Sequence, residues 1–545
     1  MVNITLVEGK DFIPPRVSPN APLPDPCIKF RLGAEKYKSK IMPKTLNPKW
    51  LEQFDLHIYD ETRQQLEITI LDKSKNAFMG KLTVDLSKVE REVPCLRWWE
   101  LEDEAGSLLL QITISGIHGT DTTSDLTAFD AHAEAQYRTE INRRYGLERS
   151  FVDVNDVGQL KVKVFKAHDL AAADYGGKSD PFVVLELVNA RLRTNTEYKT
   201  LNPEWNKVFT FMVKDLFAVL EVTVWDEDPN NKADFLGKIG IPLLKIRNGE
   251  KRWYALKDRK LRQRAKGQIL MELEVIYNPI KAAARSFSPR EIKFIPTHNK
   301  FKAATFLRSV NRMKAFGEIP AQLGAFLQSC WTWQSPIRSI LSYIFYVWLV
   351  WNFQLYFIPL GIVLLFLKCA IFQTVLGTFS KSAVDEDYCD SDDEVEVIEE
   401  KEKEVKPAPK VTEEKELSFK ERLNVMNETL LQIQGILEGI ASNLERVKNL
   451  VNFTVPLLSW MIVVALGGAS FALYFISLRF ILLVVGTVLW TKAFRTPSTS
   501  TNNEILDFLS RVPHDLDLRM YGEFRPEPVE AAPRDPKTSR QSRRR

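Results

Sequence analysis

The chain has 545 residues, of which 45% are hydrophobic and 26% are charged, and its formal net charge is +4. That length allows several domains, and the composition is typical of a folded protein rather than a disordered chain. The net charge is too small to indicate nucleic-acid binding by itself. The 5 cysteines are scattered and lack a CxxC pair, which argues against a disulfide framework or a zinc site.

The first residues, MVNITLVEGK, already alternate as a strand does, with no basic segment followed by an apolar run. They do not indicate a secretory signal, so we expect the N-terminal half to be cytosolic. Because a strand pattern begins directly after Met1, we also expect an isoform-like sequence that lacks an upstream domain.

Two related units make up this half. The segment KTLNPKW at 44–50 recurs as KTLNPEW at 199–205, and PDPCIKF at 24–30 aligns with SDPFVVL at 179–185. In both units, short β-branched and aromatic runs alternate with period two between Asn, Pro, Gly and Asp turns. That pattern predicts two antiparallel β-sandwiches.

The second unit carries five aspartates on two loops: Asp174, Asp180, Asp226, Asp228 and Asp234. Like charges at contact distance repel, so such a cluster needs a counter-ion. Ca²⁺ is a hard cation that takes roughly six to eight oxygen ligands, and flexible carboxylate-rich loops supply them. The turn preference of aspartate would explain neither the number nor the two-loop spacing. The pattern therefore predicts a calcium site.

These residues resemble a known family. The order Asp–x5–Asp-Pro, Asn-Pro-x-Trp, Asp-x-Asp–x5–Asp-Phe-Leu-Gly is similar to that of C2 domains, the calcium- and phospholipid-binding β-sandwiches. The resemblance covers nearly all of 157–278 and implies that the five aspartates converge around Ca²⁺ at one end of the sandwich. Of the loop-tip residues, Tyr175 and Lys232 are candidates for lipid contact.

The first unit departs from this pattern. Asp25 and Asp72 remain, behind a proline-rich loop. Ser74 and Ala77 stand where the second unit has its last two aspartates. Two carboxylates alone cannot hold Ca²⁺ tightly, so we expect weak or no calcium binding in this unit.

The first unit carries a basic hairpin instead. Its cationic residues are Lys29, Arg31, Lys36, Lys38, Lys40 and Lys44. In C2 domains the corresponding strands often meet anionic or phosphoinositide head groups, and each charge near an anionic leaflet contributes about 1 kcal/mol. The alternative is that the lysines protect an edge strand from aggregation. The sequence leaves both interpretations open.

The second half of the chain contains two long apolar regions. Residues 339–367 carry no formal charge, and as one helix they would be about 44 Å long against a hydrocarbon core of about 30 Å. Pro359 predicts a break or kink within them. The region 455–490 is likewise too long for one untilted span and too short for two full spans, and it is interrupted by Arg479. Each region is either a single tilted span or a re-entrant hairpin.

Basic residues flank both regions on their outer sides, which predicts that both outer flanks are cytosolic. Between the regions, an acidic run at 376–415 is predicted to be disordered. An apolar seam with heptad spacing follows, formed by Leu423, Met426, Leu430, Ile433, Leu437, Ile440, Leu444 and Val447. It predicts an amphipathic helix that could dimerise, pack on the membrane helices or lie in the head-group plane.

Two C2 units followed by two hydrophobic regions resemble the multiple C2 domain and transmembrane region proteins. The resemblance includes NPIKAAARSFSPRE, VWNFQLYFIPL and NNEILDFLSRVP. It implies a calcium sensor anchored in the endoplasmic reticulum membrane, linked in animals to synaptic transmission and vesicle release, with a reticulon-like membrane region. A synaptic or endosomal vesicle membrane is the alternative location.

The leading hypothesis is a membrane-anchored sensor that binds Ca²⁺ and anionic phospholipid and could tether membranes or self-associate through 416–451. The alternative is a membrane-curvature-shaping protein with regulatory C2 domains. An enzyme is not indicated, because the histidines are dispersed and no GxSxG, P-loop, HExxH or kinase signature occurs. A nucleic-acid partner is not indicated either.

The predicted fold class is two all-β C2 sandwiches followed by an α-helical membrane region. The predicted segments are a basic C2 unit with a degenerate calcium site (1–117), a linker (118–156), a C2 unit with all five aspartates (157–278), a juxtamembrane segment (279–334), the first hydrophobic region (335–375), the acidic linker (376–415), the heptad helix (416–451), the second hydrophobic region (452–493) and a cytosolic tail (494–545).

Overall fold

The computed structural model describes most of both halves of the chain. The described residues are 1–13, 23–58, 65–73, 77–91, 93–102, 105–115, 131–152, 156–172, 177–227, 233–295, 303–380, 413–476, 479–480, 483–484, 486–487, 491 and 503–527. They form two compact units. One unit contains both β-domains and the described C-terminal residues 519–527, and the other contains the helices between His298 and Leu518.

The first domain is a β-sandwich of two antiparallel sheets, as predicted. Its strands are β1 Val2–Lys10, β2 Pro26–Leu32, β3 Glu35–Lys38, β4 Lys49–Leu56, β5 Gln65–Asp72, β6 Ala77–Asp85, β7 Cys95–Glu100 and β8 Ser107–Ile114. The sheet orders are β4-β1-β8-β7 and β3-β2-β5-β6. Alternation along the strands sends every second side chain into the core, where Phe30, Ile68 and Leu110 are fully buried.

The second domain repeats this strand order. Its strands are β9 Gly158–His168, β10 Pro181–Leu187, β11 Ala190–Arg193, β12 Glu204–Val213, β13 Val219–Glu227, β14 Ala233–Pro242, β15 Lys251–Lys257 and β16 Arg264–Tyr277. A pairing between Lys238 of β14 and Lys257 of β15 joins the two sheets into the run β11-β10-β13-β14-β15-β16-β9-β12. The prediction of two all-β sandwiches is therefore confirmed.

The sequence repeat is reproduced at the level of single hydrogen bonds. Asp11 N donates to Asn47 Oδ1 over 2.8 Å, and Asp169 N donates to Asn202 Oδ1 over 2.9 Å. Both aspartates have a left-handed backbone, with φ of 55° and 54°. The Asn-Pro turn found in the sequence thus holds the start of the first loop in both domains.

The described part of the segment 118–156 includes the helix α1, Ala131–Arg144. This helix lies against the second domain, because Gln159 Nε2 donates to Tyr137 Oη over 2.7 Å. Tyr145, directly after the helix, is 4% exposed. Part of the predicted linker is therefore a surface layer of the second domain rather than only a spacer.

The second unit is helical. Its helices, together with α2 beside the second domain, are α2 Pro279–Arg285, α3 Ala303–Trp331, α4 Pro336–Asn352, α5 Phe357–Ser380, α6 Glu413–Val451, α7 Pro456–Phe475, α8 Glu504–Ser510 and α9 Asp515–Met520. The break predicted at Pro359 occurs between α4 and α5, and this proline lies in the first turn of α5. The helical segments Phe357–Thr374 and Pro456–Phe475 are long and apolar enough to cross a membrane.

Helices α5 and α7 run antiparallel and pack together. Ser470, near the end of α7, donates its hydroxyl to Tyr356 O, directly before α5, over 3.1 Å. Farther along α5, the Phe366 ring lies 6.0 Å from the ring of Phe453, which precedes α7. The two predicted hydrophobic regions therefore form one packed pair.

A buried ion pair connects the polar helices of this unit. Arg312 of α3 donates two hydrogen bonds of 2.6 Å to Glu445 of α6, and these side chains are 13% and 4% exposed. Glu445 also accepts a hydrogen bond from Asp515 N of α9 over 3.0 Å, and Lys448 of α6 pairs with the Asp515 carboxylate. The hydrogen bonds to Glu445 raise the pKa of Arg312 above its usual value.

Helix α6 carries the predicted apolar seam, but the seam does not face the neighbouring helices. Ile433, Ile440 and Val447 are 42%, 44% and 48% exposed. The buried positions are mostly polar: Gln434, Ala441, Ser442, Glu445, Asn449 and Leu450. The side chains of the first two seam residues and the acidic segment 381–412 lie outside the described residues.

Candidate metal centre

Two loops of the second domain bring aspartates to the same end of the sandwich. Asp180 directly precedes β10, and Asp226 lies near the end of the neighbouring strand β13. Asp180 N donates to Asp226 Oδ1 over 2.5 Å, and Glu227 N donates to Asp180 O over 3.0 Å. On the other side of β13, Asp226 lies opposite Asp234 of β14. Three predicted ligands therefore occupy adjacent strands at one end of the domain.

A third loop orients the Asp180 carboxylate. Lys199 N donates to Asp180 Oδ1 over 2.6 Å, and Lys199 adopts a left-handed backbone with φ of 56° to present this amide. Asp226 is only 1% exposed. A carboxylate buried to that degree is costly unless nearby donors or a cation compensate its charge.

The donors at this end are carboxylate oxygens, which are the ligands that Ca²⁺ prefers. Within the described part of the chain, no group of three or more His, Cys, Asp or Glu side chains is arranged to hold a metal ion. Asp174 and Asp228, which would complete the site, lie outside the described residues, as do Tyr175 and Lys232. The described aspartates fit the predicted site, and the complete ligand set stays a prediction.

The first domain has the same scaffold with fewer carboxylates. Asp25 N donates to Asp72 Oδ1 over 3.0 Å, and Lys44 N donates to Asp25 Oδ1 over 2.9 Å. Asp72 lies opposite Ala77, the ladder position that Asp234 occupies in the second domain. The register thus identifies one of the three missing ligands, the counterpart of Asp234. Weak or absent calcium binding here stays a prediction.

The predicted basic hairpin is an exposed surface of the first domain, since all six of its cationic residues are exposed. Lys29 lies opposite Lys38, and Arg31 lies opposite Lys36, across β2 and β3. Like charges directly opposite each other destabilise a strand pair. Because β3, with Lys36 and Lys38, is the edge strand of its sheet, edge protection also fits, and both interpretations stay open.

Sequence reasoning missed the buried ion pair of α3 and α6, and it missed a contact that residues 519–527 make with the second domain. Lys257 of β15 is 3% exposed and donates to Met520 O and Gly522 O over 2.9 and 2.5 Å. The sequence contained one signal of the contact with residues 519–527. Lys257 in the segment RWYALKD stands where the first unit has Glu102 in RWWELED, so the charge at this position is reversed.

Comparison with known proteins supports the resemblance. The C2 domain family model matches residues 1–101 and 158–256. The chain is 43% identical over 531 residues to "Multiple C2 and transmembrane domain-containing protein 1" of Homo sapiens. This alignment covers 97% of this chain and 52% of that protein. It is 44% identical over 542 residues to the Drosophila melanogaster "Multiple C2 and transmembrane domain-containing protein", covering 98% of this chain and 57% of that protein.

Among solved structures, the calcium-bound pair of C2 domains of extended synaptotagmin 2 matches with a TM-score of 0.25 and 22% identity, covering 51% of this chain and 96% of that one. The chain spans a little over half the length of the human and fly relatives, 52% and 57%.

Proposed function

The chain belongs to the family of multiple C2 and transmembrane domain-containing proteins, and on that basis we propose that it is a non-enzymatic, membrane-anchored calcium sensor. Its second C2 domain binds Ca²⁺ and anionic phospholipid. The observation that carries the proposal is the placement of Asp180, Asp226 and Asp234 on adjacent strands at one end of that domain.

The residues of the second domain prepare this end for its ligands. The amides of Asp180 and Lys199 hold two carboxylates in place, and Asp174 and Asp228 complete the set. Without a counter-ion these aspartates repel an anionic surface. Bound Ca²⁺ supplies positive charge there and bridges carboxylates to lipid phosphates. Because the association is electrostatic, it weakens as salt is added.

The first C2 domain contributes a contact that does not depend on calcium. Its exposed cations, paired across β2 and β3, form a surface suited to anionic head groups. The sensor therefore has a constant attraction to acidic membranes in one domain and a calcium-controlled attraction in the other.

The membrane region enters and leaves the bilayer on one side. Helix α3 precedes the first hydrophobic region, α6 lies between the two regions, and α9 follows the second. The network of Arg312, Glu445 and Asp515 joins all three helices. Polar helices that touch one another lie on the same side of a membrane, so each hydrophobic region forms a hairpin. This supports the hairpin interpretation over single tilted spans.

We place the protein in the endoplasmic reticulum membrane, with its C2 domains cytosolic, or alternatively in a synaptic or endosomal vesicle membrane. Its role there is regulation of synaptic transmission or vesicle release, in which calcium draws the second C2 domain to an acidic membrane and tethers two bilayers. The family relationship supports this role.

A second candidate function is the shaping of membrane curvature. Helix α4 has 17 residues and a length of about 26 Å, which is shorter than the hydrocarbon core of about 30 Å. The exposed seam of α6 would add an apolar face at the head-group level. Short hairpins and a surface helix expand one leaflet, and the C2 domains would then act as regulators.

The sensor proposal is tested by co-flotation of residues 1–295 with phosphatidylserine-containing liposomes across a calcium titration. Because the first domain attracts acidic membranes without calcium, the tested quantity is the increase in flotation as calcium is added. We expect Asp226→Asn to abolish this increase and the matched variant Asp72→Asn, in the first domain, to leave it intact. No increase with calcium in any of the three proteins would contradict the sensor and favour the curvature function. Salt should weaken the calcium-dependent binding.

A further inference from the structure

Residues 519–527 return to the second C2 domain and lie along β14, β15 and β16. The ring of Tyr521 covers Gly240, where a Cβ would lie only 2.6 Å from the ring. Next to it, the Lys257 ammonium donates to two carbonyl oxygens of the tail over 2.9 and 2.5 Å. This lysine is 3% exposed, and burial lowers its pKa. The domain thus has a glycine and a buried cation that fit the tail.

Beyond this anchor, the tail is held by weaker contacts. Arg252 pairs with Glu523 at 2.7 Å, and Arg264 pairs with Glu527 at 3.0 Å. Gln268 Nε2 donates to Glu527 O over 3.2 Å. The Glu527 side chain is 68% exposed. Ion pairs that exposed are screened by salt and are readily exchanged for other anions.

The weak end of the tail lies toward the calcium loops. Gln268 is the ladder partner of His168, the last residue of β9, and the first calcium loop starts directly after it. The strand pair β15–β16 and its turn are rich in cations in this region: Lys257, Arg259, Lys260, Arg262, Arg264 and Lys266. A membrane that meets the calcium loops would therefore also meet Arg264, which holds Glu527. Arg252, which holds Glu523, lies at the opposite end of β15.

We propose that residues 519–527 are a releasable strap, an intramolecular acidic ligand of the β14–β16 face that anionic head groups displace. The proposal rests on the proposed function, because it assumes that the second C2 domain meets an acidic membrane. With the strap closed, this domain has two attachments to the membrane region, one through 279–302 and one through the strap. Release leaves one attachment and extends the reach of the domain toward a second membrane.

The closed state is tested by the rate of chymotrypsin cleavage after Phe524, followed by mass spectrometry, on the full chain in nanodiscs of neutral phosphatidylcholine without calcium. Cleavage needs a released strap, so we expect it to be slow in wild type and at least tenfold faster in Tyr521→Ala. Arg525→Ala, an exposed neighbour in the tail, is the matched control and should leave the cleavage rate unchanged. Because the substitution lies in the tail, a folded second domain can be verified by unchanged hydrogen exchange in its core strands. Wild-type cleavage as fast as that of Tyr521→Ala would overturn the proposal.

Release is tested by repeating the experiment in nanodiscs that contain phosphatidylserine. We expect cleavage after Phe524 to speed up at least tenfold. The charge swap Arg252→Glu with Glu523→Arg should restore the protection from cleavage that either single change loses in neutral lipid. Equal protection in both lipids would show that residues 519–527 are a permanent part of the domain, and it would overturn the proposal. Failure of the proposed sensor function can be told apart from failure of the strap. In that case flotation would not respond to calcium, but the closed state would still be found in neutral lipid without calcium.

Discussion

The two C2 domains share one scaffold and differ in charge at three places. Equivalent amides bind equivalent carboxylates in both, as Asp25 N binds Asp72 and Asp180 N binds Asp226. The differences lie where charge meets solvent or ligand: in the calcium loops, at the basic hairpin, and at the position that is Lys257 in one and Glu102 in the other. Backbone hydrogen bonds preserve the loop framework, so the side chains on it can change without loss of the fold.

The largest difference between the two domains should be the effect of calcium on their stability against unfolding. A ligand present at 100 times its Kd stabilises the folded state by about 2.7 kcal/mol. Calorimetry of residues 1–295 should therefore show one calcium-sensitive unfolding transition, assigned to the second domain, and one that calcium leaves in place.

The same experiment can test whether the missing carboxylates cause this difference between the domains. Ser74→Asp combined with Ala77→Asp restores two of the three missing positions of the first domain, and Ala77 already lies opposite Asp72. We expect its unfolding transition to become calcium-sensitive, with a smaller shift than that of the second domain. A first domain that stays insensitive would show that its proline-rich loop, which lacks the counterpart of Asp174, prevents binding.

The next largest difference should be the cost of replacing an equivalent glycine, Gly237 or Gly80, with alanine. A Cβ on Gly237 would lie 2.8 Å from Leu256 Cβ, whereas a Cβ on the equivalent Gly80 would lie 3.2 Å from its nearest neighbours. Overpacking costs about 1–3 kcal/mol. Gly237→Ala should therefore destabilise its domain by about 2 kcal/mol in urea unfolding, and Gly80→Ala should cost clearly less. Equal losses would mean that the domains repack equally well.

The shared Asn-Pro turn should give equal effects in the two domains. Asn47 and Asn202 each accept a hydrogen bond from an aspartate amide with a left-handed backbone. Replacing either asparagine with alanine removes the acceptor and should cost about 1 kcal/mol. The measurement is urea unfolding of both variants side by side, and a difference greater than the error would show that the repeat is not energetically symmetric.

The smallest expected effect is a pH dependence found in the second domain. Burial would raise the pKa of Glu221, but hydrogen bonds and charge from Lys238 and Lys293 outweigh it and hold this pKa below its usual 4.5. The stabilisation is therefore present above pH 4.5 and is lost as pH falls through the lowered pKa. Glu221→Gln should lower Tm at about pH 7, and the difference from wild type should shrink in acid. A constant difference would assign the effect to packing.

Much of this molecule could be predicted because its signals are local. Strand alternation predicted the sandwiches, the repeat predicted the Asn-Pro turn, and Pro359 predicted the break between α4 and α5. The calcium-loop aspartates were identifiable because their spacing resembles a family pattern. Their register was not, because it depends on which residue of β14 lies opposite Asp226.

The missed features are contacts between distant parts of the chain. Lys245 and Tyr521, which share a hydrogen bond, are 276 residues apart. The heptad seam predicted an amphipathic helix and left open whether its apolar face dimerises, packs on the membrane helices or lies in the head-group plane. The structure buries the polar face of α6, because Arg312, 133 residues away, neutralises Glu445. Periodicity cannot show a partner of this kind.

The contact of α6 with α3 and α9 has a consequence for the chemical state of the protein. Two sequences of the form Asn-x-Thr, NET at 427–429 and NFT at 452–454, match the acceptor pattern for N-linked sugar. Oligosaccharide transfer takes place in the lumen, and in the proposed topology α6 shares the cytosolic side with the C2 domains. Asn427 and Asn452 should therefore stay unmodified, and glycosidase treatment of the protein from cells should leave its electrophoretic mobility unchanged. A sugar on either asparagine would place α6 in the lumen.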